Sequence, residues 1–571
     1  MAPALTRAAG DADLVVVGAG AGGMTAALVA AHAGLRVVLC ESTQQAGGTT
    51  ATSAGTLWIP GNRHGRVAGH VDSVDDAARY LKLLAGADDA RGRRRAFLAT
   101  GDEAVAWLEA NSQVAFTSSG VHPDYLVQPG ASYAGRALSP LPYDGRKLGA
   151  DFVRIRPPIP EFMVLGGMMV GKADIQALLR RWSSTRAFSH SARLVLRYLA
   201  DRLRYSRGTR LVMGNALVAR LFASVRDSGV DVRFGWRLLE LMHEGGRVTG
   251  AVFDTESGVQ RISASRGVVL ATGGVGHDVD LRSELLPAHW DIATLACASV
   301  VGDGISSARR AGAVLERHPH GNFFWQPVSR VAREGGDVGL FPHLFLDRAK
   351  PGLIAVDALG RRFVNEAASY HHFVEGLLAN GQRAWLVCDA AFVERYGLGV
   401  IPPGTKRLER WIASGYVTVD GSLTALSRRL GIDADGFAAT IADTNRDACI
   451  GFDVAFRKGE APLDRFNGDA SHGPNPCLGV IAHAPFLALA ILPADAASSA
   501  GLATDADGRV LDDTGQSLAG LYACGNDAAS VMCGTYPGPG TTLGPAIVFG
   551  YRVGRHAVRG AAPSPHPTFS A

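Results

Sequence analysis

The chain has 571 residues, 47% of them hydrophobic and 19% charged, enough apolar material for more than one core and too little charge for a disordered polymer. Its 57 basic and 53 acidic residues leave a formal net charge of +4, which gives no electrostatic case for nucleic acid as a partner. Seven cysteines stand without a CxxC or CxxCH arrangement, so the common signals of zinc, iron–sulfur and c-type haem sites are missing and a reducing, cytoplasmic setting is expected.

The opening residues MAPALTRAAGDAD hold no apolar stretch of signal-peptide length, and the first apolar run is broken by glycine long before it could span a bilayer. No transmembrane helix is expected. Leu14 to Val17 reads as a buried parallel strand, Met24 to His32 as an alanine-rich helix closed by Gly34, and Arg36 to Cys40 as a second strand. Helical spacing runs from about Asp75 to Asn111, and Val121 to Leu148, rich in Pro, Gly and Tyr, reads as a long loop. A helical stretch from Ile175 to Arg210 carries nine arginines from Arg180 onward. A solvated helix face explains them most simply, and a peripheral contact with anionic lipid is the alternative. Strands at Val230 to Arg233, Gly250 to Phe253 and Gly267 to Ala271 suggest a small meander returning to the first sheet. The pattern changes from about Cys297 to His483, and buried-strand character returns at Gly520 to Cys524. Beyond Ala561 lies a proline-containing tail.

The first motif with chemical content is Gly18-Ala19-Gly20-Ala21-Gly22-Gly23, a GxGxxG that follows a strand and opens a helix. The first glycine permits the tight turn, the second lets the backbone approach a pyrophosphate, and the third lets helix and strand pack closely. The helix N-terminus then faces the phosphate charge. Glu41, 23 residues after Gly18, ends the second strand, where a carboxylate accepts hydrogen bonds from a ribose diol. This set points to a dinucleotide but does not choose NAD from FAD. Gly47-Gly48-Thr49-Thr50, the run Val268 to Gly274 and the run Leu521 to Asn526 supply three further glycine turns.

In this order those turns resemble the FAD contacts of the succinate dehydrogenase and fumarate reductase flavoproteins. Within that superfamily the chain most resembles the 3-ketosteroid 1-dehydrogenases, through GGTTATSAGTLWIPGN from Gly47, RGTRLVMGNALVARL from Arg207, GRRFVNEAASY from Gly360 and VMCGTYPGPGTTLGPAIVFGY from Val531. The resemblance implies an α/β fold: a Rossmann-like FAD-binding domain formed by 1–295 and 485–571, with an α+β substrate domain at 296–484 inserted between them. It implies non-covalent FAD held by Gly18, Gly20, Gly22, Gly23 and Glu41, by Gly48, Thr49, Thr50 and Ser53, by Ala271, Thr272 and Gly273, and by Gly525, Asn526, Thr542 and Leu543. It further implies that Tyr370 takes a proton from carbon 2 of a 3-ketosteroid and that Tyr536 with Gly540 holds the 3-keto oxygen. A third tyrosine assists the base; Tyr125 matches, and Tyr133 or Tyr143 could serve instead. Electrons would leave to a separate acceptor such as a quinone.

The chemistry stands apart from the resemblance. A proton alpha to a ketone becomes removable when the oxygen is stabilised as an enolate, and a phenol plus a backbone N–H is a suitable oxyanion site. A phenol with a pKa near ~10 is a weak base at neutral pH and needs a neighbour that favours its anion. Where relatives have a glycine-rich turn, Asp495 to Gly501 is rich in alanine and serine. Phe323, Phe324, Trp325, Phe341 and Phe345 could line a flat apolar pocket or simply fill a core. A fumarate-reductase-like enzyme acting on another enone or a dicarboxylate is the competing reading, with Arg361, Arg362, His371 and His372 as candidate carboxylate clamps. A flavin-binding partner protein without catalysis is the third.

Overall fold

Leu14 and Val16 enter one core while Val15 and Val17 enter another, because successive side chains of a strand face opposite sides of its sheet. Both faces of this strand are therefore covered, as its unbroken apolar run requires. The computed structural model describes residues 12–560 apart from 90, 180, 182, 183, 291, 334, 345 and 346. Phe345 and the tail after Ala561 thus lie outside the described residues.

The strand Ala12–Val17 runs parallel to Val37–Glu41 on one side and to Gly258–Leu270 on the other. Asp231–Phe234 adds a parallel edge beside Val37–Glu41, and Ser517–Ala523 lies parallel to the end of Gly258–Leu270. The first crossover helix is Ala21–His32. It begins inside the glycine motif, three residues before the expected Met24, because Gly22 and Gly23 are helical here despite their poor intrinsic propensity. The meander is Arg237–Glu244, Arg247–Thr255 and Gly258–Leu270, antiparallel throughout. Its first strand was not anticipated, although Gly245-Gly246 at the hairpin is a strong two-residue turn. The helical stretch from Asp75 divides into Val74–Ala85 and Arg93–Asn111, and Asp89 caps the second helix by accepting from the Arg94 and Arg95 N–H groups at 3.0 Å each.

A second sheet is built around Phe486–Ser498, which pairs antiparallel with Phe323–Ala332 and with Ala384–Asp389. Val338–Pro342 and Leu353–Val356 extend it on either side. Its central strand therefore comes from residues the sequence reading had grouped with the returning segment. The helix Tyr370–Ala379 packs on Phe323–Ala332, and the last helix, Leu543–Arg559, packs on Ala21–His32. No helix among the described residues is long and apolar enough to cross a membrane. All seven cysteines are unpaired thiols.

Candidate active site

The glycine segments meet at the carboxyl ends of the first sheet's parallel strands. Gly18 has φ +106°, and a Cβ there would stand 2.2 Å from the Ala271 carbonyl oxygen; one on Gly23 would stand 2.0 Å from the Gly18 oxygen. Strand, helix and neighbouring strand thus touch backbone to backbone. Over Gly48 and Gly525, by contrast, nothing lies within 4 Å of where a Cβ would be. Those two open backbones on either side of a closed turn fit a dinucleotide running across the strand ends.

Glu41 is buried at the end of its strand, accepting from the Ala19 N–H at 3.0 Å, the Thr43 N–H at 3.0 Å and the Thr43 hydroxyl at 2.9 Å. Thr50 Oγ1 accepts from the Ala21 N–H at 3.3 Å, so the second glycine segment docks on the first helix, and Thr49 Oγ1 accepts from the Cys297 N–H at 3.0 Å. The Ser53 hydroxyl donates to the Thr50 carbonyl at 2.7 Å. Gly22 faces Cys524 and the first turn of the last helix. Gly525, Asn526 and Thr542, just ahead of Leu543 at the helix start, line a cleft together with Phe324, Ser498 and Arg93.

Asp527 was missed by sequence reasoning. It is fully buried, and its carboxylate accepts from the Thr272 N–H at 2.5 Å, the Gly274 N–H at 2.8 Å and the Thr272 hydroxyl, tying the Ala271–Gly273 turn to the Gly525–Asn526 turn. Burial pushes its pKa up against these bonds. Ser498, from the alanine- and serine-rich segment, donates to the Asn526 carbonyl at 3.4 Å and abuts Gly274. Asp495 in the same segment is bound to Arg282 at 2.5 Å and to Thr294 at 2.8 Å, a purely internal role.

The three tyrosines converge from parts of the chain more than a hundred residues apart. The Tyr125 and Tyr370 hydroxyl oxygens are 3.2 Å apart. Ring centroids are 5.5 Å apart for Tyr125 and Tyr370, 5.6 Å for Tyr125 and Tyr536, and 5.1 Å for Tyr370 and Tyr536. All three are buried, and that burial is the main cause of phenol pKa values well above 10. Tyr133 is 56% exposed, and Tyr143 donates to Gln113 at 3.0 Å, away from this group. Tyr370 is the first residue of its helix, with Ser369 as the N-cap accepting from the His372 N–H at 3.3 Å. The positive end of the helix dipole therefore lies beside the phenol.

Gly540 has φ +92°, and a Cβ there would sit 2.5 Å from the Thr56 carbonyl. Its own carbonyl accepts from Trp58 at 3.3 Å and from Gly544 at 3.0 Å, whereas its N–H has no acceptor among the described residues. Phe324 stands edge-on to Tyr536 at 5.4 Å. Phe323, Trp325 and Phe341 belong to the core on the other side of the sheet.

The candidate carboxylate clamps do not assemble. Arg362 is held by Glu366 and Asp453 at 2.8 and 2.9 Å, and His371 Nδ1 accepts from the Trp325 N–H at 3.1 Å. His372 is bound to the Ser369 hydroxyl at 2.7 Å. Arg361 holds the Asp357 turn through its backbone.

A family profile described as "FAD binding domain" matches residues 13–543. A 4-oxocyclohex-2-ene-1-carboxylate 5-dehydrogenase of Sinomonas cyclohexanicum is 37% identical over 96% of this chain and 94% of its own. A 3-oxosteroid 1-dehydrogenase of Mycolicibacterium smegmatis is 35% identical over 94% of this chain and 96% of its own. The crystal structure of a 3-ketosteroid delta1-dehydrogenase from Sterolibacterium denitrificans, in complex with 1,4-androstadiene-3,17-dione, superposes with a TM-score of 0.89 at 32% identity, covering 96% of this chain and 100% of that one. The fold is accordingly the FAD-binding flavoprotein fold of the succinate dehydrogenase and fumarate reductase type. FAD is the cofactor, and the chain belongs to the 3-ketosteroid 1-dehydrogenase family of FAD-dependent oxidoreductases.

Proposed function

We propose that the protein introduces a 1,2 double bond into a 3-ketosteroid. The observation that carries this reading is the convergence of three buried phenols, with Gly540 four residues after Tyr536 and its N–H without an acceptor among the described residues. Tyr536 and the Gly540 N–H grip the 3-keto oxygen and stabilise it as negative charge develops there. Tyr370 removes the proton at carbon 2, and Tyr125 tunes the base through the hydroxyl contact at 3.2 Å. FAD, when bound, supplies the acceptor for the hydride that leaves carbon 1. The residues that would hold it are Gly18, Gly20, Gly22, Gly23 and Glu41, Gly48 to Thr50 with Ser53, Ala271 to Gly273, and Gly525, Asn526, Thr542 and Leu543. The cradle offers no histidine or cysteine within its first glycine motifs, so the cofactor would be held non-covalently, and a separate carrier such as a quinone would take up its electrons. In domain terms the flavin unit is 1–295 with 485–571 and the substrate unit 296–484, although the substrate unit's sheet takes its central strand, Phe486–Ser498, from the C-terminal segment.

A smaller ring is a second reading, favoured by Arg93. Its buried guanidinium lines the same cleft as Phe324; one terminal nitrogen faces Glu316 at 3.5 Å and the other donates to the Ala529 carbonyl, which leaves Nε, without a hydrogen-bond partner among the described residues, to meet a carboxylate on a single-ring ketone such as the one named for the Sinomonas relative. Dye reduction by purified protein separates the readings. Turnover with a 3-ketosteroid, and little with a 4-oxocyclohexane carboxylate or with fumarate and reduced dye, supports the first; turnover with the keto acid alone overturns it.

The substrate and acceptor are both lipophilic, and the chain has a surface suited to reaching them. Leu196, Leu199 and Leu203 are 66%, 54% and 86% exposed at helical spacing, with Arg193 and Arg204 exposed beside them. Such a face binds an anionic lipid surface. The basic run is only partly this: Arg207 is buried against Phe152 and Arg210 is paired with Asp174. In flotation assays the protein should rise with anionic vesicles, and Leu196→Glu with Leu199→Glu should abolish this; equal flotation of both would refute the contact.

A further inference from the structure

A buried phenol is a poor base unless something favours its anion. Arg348 is 1% exposed, and its side-chain hydrogen bonds all end on backbone carbonyls: Nε on His343 at 2.8 Å, Nη1 on Glu366 at 2.7 Å and Ala368 at 3.2 Å, and Nη2 on Leu344 at 2.5 Å. No carboxylate among the described residues forms an ion pair with it. The nearby acids are engaged elsewhere. Asp347 binds His343 Nδ1 at 2.6 Å and the Gly399 N–H at 3.1 Å. Glu366 is paired with Arg362 at 2.8 Å and Lys458 at 3.3 Å, and Asp464 accepts from Asn365 at 2.9 Å and from the Gly459 N–H at 3.0 Å.

The guanidinium lies over the Phe373 ring, 4.8 Å from its centroid, within the first turn of the helix that Tyr370 opens. Through the Ala368 carbonyl it grips the chain two residues before Tyr370. A buried cation solvated by carbonyls alone is costly. Burial pulls its pKa down, yet a guanidinium stays protonated in a protein and so remains charged. The other titratable groups around Tyr370 are Tyr125 and Tyr536 across the site, Asp124 beyond Tyr125, and His371, His372 and Glu375 along the helix. His371 Nε2 faces Glu375 at 3.3 Å. Arg348 is the cation whose charge bears on both the Tyr370 and Tyr125 phenols, against the larger effect of their burial.

Resting on the reading of Tyr370 as the base, we propose that Arg348 is a positioning residue that both fixes the start of the Tyr370 helix and stabilises the Tyr370 phenolate by its unpaired charge. The test is the pH dependence of turnover, and of carbon-2 hydrogen exchange with solvent, on flavin-loaded parent, Arg348→Gln, Arg348→Lys and Tyr370→Phe enzymes with a 3-ketosteroid. Glutamine keeps donors for the carbonyls but removes the charge, so the rising alkaline limb should move up by on the order of one pH unit, with about tenfold lower activity on that limb. Lysine keeps a charge that, once buried, titrates where a guanidinium does not. The ratio of parent to lysine-variant activity should therefore grow as pH rises above neutrality. An unmoved limb in the glutamine variant, or a parent-to-lysine ratio constant across pH, overturns the proposal. Where the glutamine variant does not retain flavin, the lysine ratio decides alone. Undiminished exchange by Tyr370→Phe is a different outcome, because it overturns the base assignment itself.

Discussion

Tyr536 and Tyr370 share a cluster; the proposed reading gives them different work, and conservative substitutions separate them. Tyr536→Phe keeps the ring packed against Phe324 and removes one donor to the developing enolate oxygen. Losing such a donor costs about 3 kcal/mol of transition-state stabilisation, so turnover should fall on the order of a hundredfold, with weaker binding of a steroid product in titration. Unchanged kinetics would remove Tyr536 from the oxyanion site. Burial favours the neutral form of Tyr370, so the reactive phenolate is the minor species at neutral pH and its fraction grows with each unit of pH below the phenol pKa. Turnover should accordingly rise from neutral toward alkaline pH; a flat profile would require another base. These tyrosines were legible because each sits in a distinctive local sequence, NEAASY for one and TYPGPG for the other. Asp527 was not, since an aspartate after Gly525-Asn526 looks like an ordinary turn residue until its carboxylate is seen receiving the Thr272 and Gly274 N–H groups from 250 residues away.

Among elements, Val121 to Leu148 was read as one long loop, but its second half holds the strands Ala137–Pro140 and Tyr143–Asp144 and the start of a 3-10 helix at Gly145, and nothing in the composition of its first half revealed what fixes it. Asp124 is buried and accepts from Trp58 Nε1 at 2.8 Å, from the Ser132 N–H at 2.9 Å and from Arg136 at 2.6 Å, while Arg136 also binds Asp72 at 2.9 Å. Beside it the Tyr125 N–H donates to the Pro537 carbonyl at 2.8 Å, and the Tyr80 hydroxyl donates to the same carbonyl at 2.9 Å while accepting from the Leu126 N–H. Tyr125 and the TYPGPG segment are thereby clamped together. Burial raises the Asp124 pKa to about 6 against the pull of Arg136. Asp124→Ala leaves Arg136 with one carboxylate and should cost about 3 kcal/mol of stability, with a further drop in turnover as Tyr125 loosens. Melting curves and steady-state rates check both effects; a parent-like melt would show that the pair contributes nothing. The strands expected at Leu14–Val17 and Val230–Arg233 were read to within a few residues, whereas the strand expected at Gly267 begins at Gly258, and the helix expected over Ile175–Arg210 is two, Lys172–Leu179 and Thr185–Asp201, followed by a strand at Arg210–Leu211. Arg237–Glu244 escaped because its buried positions are too few to make an alternating pattern.

At the scale of the molecule, the proposed cofactor cradle draws on the Gly18 motif, Glu41, Gly48 to Thr50 with Ser53, Ala271 to Gly273, and Gly525, Asn526, Thr542 and Leu543, so on this reading binding FAD ties distant parts of the chain together. Stripping the flavin should lower the melting temperature and adding FAD should restore it, because a ligand that binds only the folded state stabilises it by mass action. Flavin should leave the denatured chain intact; flavin remaining attached would contradict non-covalent binding. Acid should weaken the substrate side through Glu366. Burial alone would raise its pKa, yet Arg362 and Lys458 hold it down to about 2. Its contribution to stability is therefore present above its unfolded value of ~4.3 and is lost as pH falls from there toward about 2. The order of glycine motifs made the first sheet legible. The second sheet was harder, because Phe486–Ser498 is apolar on both faces and its partners lie far away in sequence. The claim on which the account depends is that Tyr370 removes the carbon-2 proton of a 3-ketosteroid. Exchange of that hydrogen with solvent deuterium, followed by mass spectrometry on flavin-loaded enzyme without an electron acceptor, tests it most directly. The account predicts exchange by the parent and a loss of roughly 100- to 10,000-fold in Tyr370→Phe with steroid binding retained; exchange by Tyr370→Phe at the parent's rate would contradict it.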